Sequence, residues 1–409
     1  MKFFLDLFAL FFKGPVGDVL ALFFNFWFLW LPAALAFIAW ETWVIYVHSY
    51  YYSHIAWTYL EIKVPGEIAK SPRAMETVFN SLHNTRTGNL IEAFWDGFIT
   101  IWYSFEIASI GGEVHFYVRT SKFFKNLVES QIYSQYPEVE IEEVDDYTKR
   151  LPKELPNKDY LVWGAEFGLT KDDCYPIKTY VDFGLDKPAE EEEKTDPLSN
   201  LLEFLGSLRD GEQLWFQIVI QGATDDWKKK GEKLIEQMLG RKKFQLAAER
   251  GERSAPPLLA PGEKDVIEAV ERNISKLGFK TGIRFVYVAR RDVYTASTFS
   301  SMLGIMKQFN SLNLNGFKPA YSTSIDYFFI KTRQAFRQRH IVEHFRKRSY
   351  FYPPYGSFVH PAKYGDVPPF VLNSEELATI YHFPGRTAGA PRLERIEARK
   401  GAPPANLPI

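Results

Sequence analysis

From Val19 to Trp40 the chain carries no charged side chain, and Asn25 is its one strongly polar group. At helical rise these residues reach about 33 Å, enough to cross a hydrocarbon layer of roughly 30 Å, so a membrane span at 19–40 is the first expectation. Asp18 and Glu41 bracket the run. Pro32 predicts a kink, which membrane helices tolerate because neighbouring groups satisfy the freed carbonyl. Downstream, WETWVIYVHSYYYSHIAWTY brings Trp40, Trp43, Tyr46, Tyr50, Tyr51, Tyr52, Trp57 and Tyr59. Such an aromatic extension, to about residue 57, suits the headgroup level. A secretory signal peptide ending at Ala34-Leu35-Ala36 competes with this reading, but the apolar run continues past it with bulky side chains. Upstream, KFFLDLFALFFK (Lys2 to Lys13) is too short to span and is expected in the interface.

Beyond the anchor (1–57), the length of 409 residues leaves room for two further domains. Charge is balanced, 49 Lys and Arg against 50 Asp and Glu, so net charge selects no polyanionic partner. A single cysteine, Cys174, excludes an internal disulfide framework and suits a reducing, cytoplasmic setting.

The first of these domains is read at 58–150. TYLEIKVP forms a strand, and Ser71-Pro72 opens a helix through RAMETVFNSLH, Ser71 as cap and Pro72 at the first helical position. Alternating runs on either side of Gly111-Gly112 form a hairpin, with Phe105 and Ile107 on one face and Val114, Phe116 and Val118 on one face of its second arm. The helix SKFFKNLVESQIYSQY and the acidic strand VEIEEVDDY complete a βαββαβ order, the split arrangement of a ferredoxin-like sandwich. The acidic residues of that last strand fit an exposed edge. The second domain, 158–330, is read as another α/β sandwich. YLVWGAEFGLT and YPIKTYVDF look like strands, Asp196-Pro197 starts a helix, and GEQLWFQIVIQ and GIRFVYVARR are patterned strands. The helices WKKKGEKLIEQML, EKDVIEAVERNISKL and TASTFSSMLGIMKQFN lie between and after them. The fold class expected is α+β: a transmembrane helix, two ferredoxin-like sandwiches and a helical or extended C-terminal arm.

The arm is the most pointed segment. Seven basic residues and one acid, Glu343, fall between 331 and 348. On a helix Arg333, Arg337, His340, His344 and Arg348 share a stripe, while Ile341, Val342 and Phe345 gather on another face. A cationic stripe suits phosphate, an acidic partner or anionic lipid, so Arg333, Arg337, Arg346, Lys347 and Arg348 are the candidate binding residues. The same helix contains H-x-x-E-H at His340, Glu343 and His344, the inverted zinc-protease pattern. Arg337 and Arg348 oppose a dication there, and Glu375 and Glu376 are the best downstream candidates for a third ligand. No P-loop, G-x-S-x-G or C-x-x-C pattern occurs, and no catalytic or cofactor-binding residue is assigned. Asn373-Ser374-Glu375-Glu376 opens a short capped helix within 331–385, and 386–409 reads as a Pro- and Gly-rich linker.

Several stretches, YLEIKVPGEIAKSPRAMETVFNSLH, GEVHFYVRT, YPIKTYVDF, DPLSNLLEFLGSLRDGEQLWFQIVIQ, IRFVYVARR and FVLNSEELATIYHFPG among them, carry a family likeness. The chain resembles bacterial membrane-anchored proteins of conjugative, type IV secretion-like DNA transfer, in the region that precedes the motor of HerA- and TraG-like coupling ATPases. The resemblance covers most of 57–409 and carries no catalytic residues. It implies a non-enzymatic single-pass adaptor or scaffold at the cell membrane, its body cytoplasmic, with the P-loop ATPase on a separate chain. The partners it implies are the bilayer, that ATPase, DNA and further copies of the chain. Two alternatives stand beside it: a tethered nucleic-acid or anionic-lipid binder, and a zinc hydrolase using His340, Glu343 and His344.

Overall fold

A computed structural model describes residues 25–65, 70–186, 196–240, 259–326, 328–348, 350–351, 367–385 and 395–396. Its elements begin with α1 (Trp27–His54), β1 (Trp57–Pro65), α2 (Arg73–Ser81), α3 (Leu90–Phe94), β2 (Tyr103–Ile110), β3 (Glu113–Ser121), α4 (Lys125–Gln135), β4 (Glu140–Val144) and β5 (Tyr160–Leu169). Then come α5 (Pro197–Gly206), β6 (Glu212–Gly222), α6 (Lys228–Met238), α7 (Pro261–Ile274), β7 (Gly278–Arg290) and α8 (Ser297–Met306). The last are β8 (Phe317–Ser322), α9 (Ile330–Lys347), β9 (Phe370–Asn373), α10 (Ser374–Ile380) and β10 (Arg395–Ile396).

Helix α1 runs unbroken through Pro32 and Glu41, so the aromatic extension continues the same helix. Its 28 residues make it, among the described residues, the one helix long and apolar enough to cross a membrane. The beginning of the expected span, 19–24, and the Lys2–Lys13 stretch lie outside the described residues. With the segment 88–99, α1 forms one compact unit; the strands and remaining helices form the other.

The second unit is built on one sheet, ordered β10-β1-β3-β2-β6-β7-β5-β8, with β4 also paired to β1 and β9 to β7. The hairpin β2–β3 turns at Gly111 and Gly112, whose φ values of 64° and 92° are those a tight two-residue turn requires. The strands β4-β1-β3-β2 are antiparallel throughout. So are β6-β7-β5-β8. Numbered by its own chain order, each quartet reads fourth, first, third, second. The two meet at their second strands, β2 against β6, from Tyr103↔Ile220 to Ile110↔Gln213.

The two bodies expected at 58–150 and 158–330 therefore share a sheet and a core. Leu60, Phe105 and Phe116 of one quartet and Phe216, Ile218 and Phe285 of the other belong to a single apolar cluster, roofed by side chains of α2, α4, α5, α8 and α10. The physical reason is the free edge each quartet would otherwise leave at its second strand. Two smaller readings change as well. YPIKTYVDF is no strand: 176–179 is irregular backbone and turns follow from Tyr180. Pro176 has no N–H to offer a ladder, and the amides of Ile177 and Tyr180 are taken by the side chains of Glu376 and Thr379. Helix α2 begins at Arg73, with Pro72 in the cap position and Ser71 Oγ accepting from the Arg73 amide at 3.3 Å. The C-terminal linker lies outside the described residues except for Arg395–Ile396, which pair with the end of β1.

Candidate functional site

Helix α9 forms where the basic, apolar-striped segment was expected, and it covers part of the sheet face opposite α2, α4, α5, α8 and α10. Ile341, Val342 and Phe345 pack on Val162, Trp215, Val286 and Val288. Close approach is possible because β5 carries glycine at 164: a Cβ there would lie 2.6 Å from Phe285 O and 2.9 Å from Ile341 Cδ1. Gln338 donates from Nε2 to Val162 O at 2.6 Å, fixing the helix to the same strand.

This docking divides the predicted basic residues. Arg348 ends the helix with a left-handed backbone (φ 50°) and is 0% exposed. Its guanidinium donates to Glu106 at 2.9 and 3.1 Å and to Asp146 at 2.6 and 3.1 Å. Arg346 donates to the carbonyls of Thr148, Pro152 and Lys153 at 3.2, 2.8 and 2.7 Å. Arg337 donates to Ser322 O at 2.7 Å and stacks over Tyr321. Lys347 is exposed and pairs with Glu343 one turn away. Lys331 and Arg339 are exposed, and Arg333 is half-buried. The basic residues are thus divided: Arg337, Arg346 and Arg348 hold the fold, while Lys331 and Arg339, off the stripe read from the sequence, face outward near the start of the helix. Beside that outward part sit Phe328 (83% exposed), Phe329 (82%) and Phe336 (54%). Phe329 has φ 58°, a conformation costly for a bulky L-residue.

Arg348 reaches a feature that sequence reading missed. The strand register aligns Glu142, Glu61, Tyr117, Glu106, Gln217, Arg284, Glu166 and Tyr321 in one row across eight strands. The signal was a polar or tyrosine residue inside each strand, which only the register turns into a row. Near its centre Glu106 accepts from Ser104, Tyr147, Gln217 and Arg348. Burial alone would raise the Glu106 and Asp146 carboxyls, but the Arg348 guanidinium outweighs it and holds both below the usual carboxylate range. Further along, Arg284 faces Glu166 at 3.4 Å, both buried. Asp146, expected on the exposed acidic strand, is likewise inside.

A second charged cluster stitches α2, the 175–186 turns, α7 and α10 beside an open polar cavity of about 380 Å³. Lys276 Nζ lies 2.6 Å from Glu76 and 2.8 Å from Glu375. Tyr180 donates to Glu76 at 2.6 Å and Thr179 to Glu375 at 2.5 Å. Glu376 caps α10 and accepts from the amides of Ile177 and Asn373 at 2.9 and 2.8 Å. Glu375 and Glu376 thus serve this cluster and not the histidines. The rings of His340 and His344 lie 3.9 Å apart, while Glu343 is turned to Lys347. Among the described residues no group of three or more His, Cys, Asp or Glu could hold a metal ion.

Compared with known families, residues 53–392 match the model described as "Domain of unknown function (DUF8128)". No curated protein matches the chain.

Proposed function

We propose that this chain, which belongs to the DUF8128 family, is a membrane-tethered, non-enzymatic adaptor that docks a separate P-loop ATPase in a DNA-transfer or secretion apparatus. On this reading α1 is a single-pass anchor. The α/β body, read as two ferredoxin-like units fused edge to edge, lies in the cytoplasm, where a lone thiol stays reduced. Docking is assigned to the outward start of α9.

The observation that carries the docking assignment is the company kept there. Phe328, Phe329 and Phe336 stand in water beside Lys331 and Arg339. Aromatic and Arg side chains are the types enriched at protein interfaces and their hot spots. This also favours a protein over a polyanion or anionic lipid, because Arg337, Arg346 and Arg348 direct their donors into the fold. The likeness to pre-motor regions of coupling ATPases supports the choice of partner.

The test is affinity capture of the full-length protein from detergent-solubilised membranes of cells that make it at native level. Recovery of a P-loop ATPase, lost when Phe328, Phe329 and Phe336 are replaced together by Ala with folding intact, is the expected result. Capture that brings no such ATPase, or brings it equally with the triple variant, overturns the assignment.

A further inference from the structure

The segment 88–99 departs from the α/β body and belongs with α1. Its neck is closed on the body side by Thr100 Oγ1 donating to Arg86 O at 2.8 Å. Within it, Asn89 and Glu92 form a reciprocal capping box that holds the single turn of α3. The turn is fastened to α1 by polar contacts. Trp43 Nε1 donates to Phe94 O at 3.0 Å, and His48 Nε2 lies 2.9 Å from Ala93 O. Trp40 packs on Phe94, Trp43 on Trp95 and Tyr51 on Phe98. Gly97, at φ 72°, lets the backbones touch, since a Cβ there would stand 2.2 Å from Val47 O.

Such fastening would ordinarily bury the apolar side chains of the loop. Instead Leu90, Ile91 and Trp95 are 76%, 66% and 61% exposed. They lie in one unit with the exposed Trp43, Tyr46 and Tyr50 of α1. Through the ring contact of Trp95 with Trp43, centroids 5.5 Å apart, the patch meets the aromatic surface of that helix. From Gly88 to Ile99 there is no Lys or Arg, and Glu92 and Asp96 are acidic. An anionic surface is therefore the wrong match, and an apolar one is the right match.

We propose that the 88–99 segment is a second membrane contact, in which Leu90, Ile91 and Trp95 seat in the headgroup–acyl boundary of a bilayer and set the depth of α1. The occupant is lipid, because the patch extends the surface of a helix that is itself read as a span; the proposal rests on that reading. Trp and Leu side chains are the ones that partition into this layer. Attachment follows from apolar burial, so it does not require anionic lipid.

The test uses full-length protein in vesicles of neutral phosphatidylcholine, with nitroxide labels at Ile91→Cys, Ala36→Cys and Lys318→Cys in separate preparations. Native Cys174 is buried, so it is left in place, and unaltered protein reports any background labelling. Accessibility to oxygen against a water-soluble nickel chelate reads depth. The expected order is Ala36 deepest, Ile91 several-fold more oxygen-accessible relative to nickel than Lys318, and Lys318 aqueous. If Ala36 is deep and Ile91 matches Lys318, the second contact is overturned and the span stands. If Ile91 is shielded from both reagents, a protein partner covers the patch and the proposal fails. If Ala36 itself is aqueous, the span reading fails and takes the proposal with it.

Discussion

Arg348 shows how much one side chain can decide. It neutralises two carboxylates that burial would otherwise make costly, so replacing it leaves both uncompensated. Arg348→Met is expected to destabilise the α/β body by about 3–5 kcal/mol, read as a lowered midpoint in chemical denaturation; an unchanged midpoint would contradict the role assigned here. The pH dependence has a definite sign. Glu106 and Asp146 titrate lower in the fold than when unfolded, so their contribution is present above the unfolded values near 4.5 and 3.8 and is lost as pH falls below them. Glu376 works in the opposite direction. Burial pushes it up to about 8 against the pull of two amide donors. The stability of its neutral form is complete below about pH 4.5 and fades as pH rises towards 8. Glu376→Gln should flatten the decline in unfolding midpoint between those limits, and an unaltered slope would show that Glu376 is not its source.

At the scale of elements, α9 joins two different surfaces end to end. Its first turn is held by a Phe in the left-handed region, and Phe329→Gly is expected to raise stability by about 1 kcal/mol while weakening partner capture. Calorimetry beside the capture assay checks the pair of effects, and a variant that loses stability would show the φ of Phe329 to be unstrained. Much of α9 was legible beforehand. The 3.6-residue spacing placed Ile341, Val342 and Phe345 together, and they are buried. What spacing cannot show is which flanking stripe meets water, because that depends on groups such as Glu106, 242 residues from Arg348. The same limit explains α10. Its Asn373–Glu376 cap was legible, whereas its complete burial was not, since Ser374, Glu375 and Glu376 look solvated until partners in α2, the 175–183 segment, Arg272 of α7 and Lys276 just beyond it come alongside. The 175–183 stretch has the composition of a strand, but side chains of α10 take the amides a ladder would use. The β2–β3 hairpin, governed by nearby alternation and a glycine pair, needed no such distant information.

For the whole molecule, an α1 whose most apolar stretch is unburied predicts partition with membranes. Full-length protein should stay in the pellet through alkaline carbonate washing and leave it only with detergent; recovery in the wash would count against a span. The row of polar side chains runs across eight strands, and α9 covers it over β6, β7 and β5, on the face opposite the main helical layer. That face was hidden from sequence reading because the quartets were read as separate domains, and the row exists only once β2 and β6 are in register. The joint between those strands bears on how the chain can be divided. Severed between Leu151 and Tyr160, each half would bare a long β-strand with its N–H and C=O groups unmatched, and both halves would be adhesive. They are fitted to recombine with one another or, failing that, to pair with their own kind.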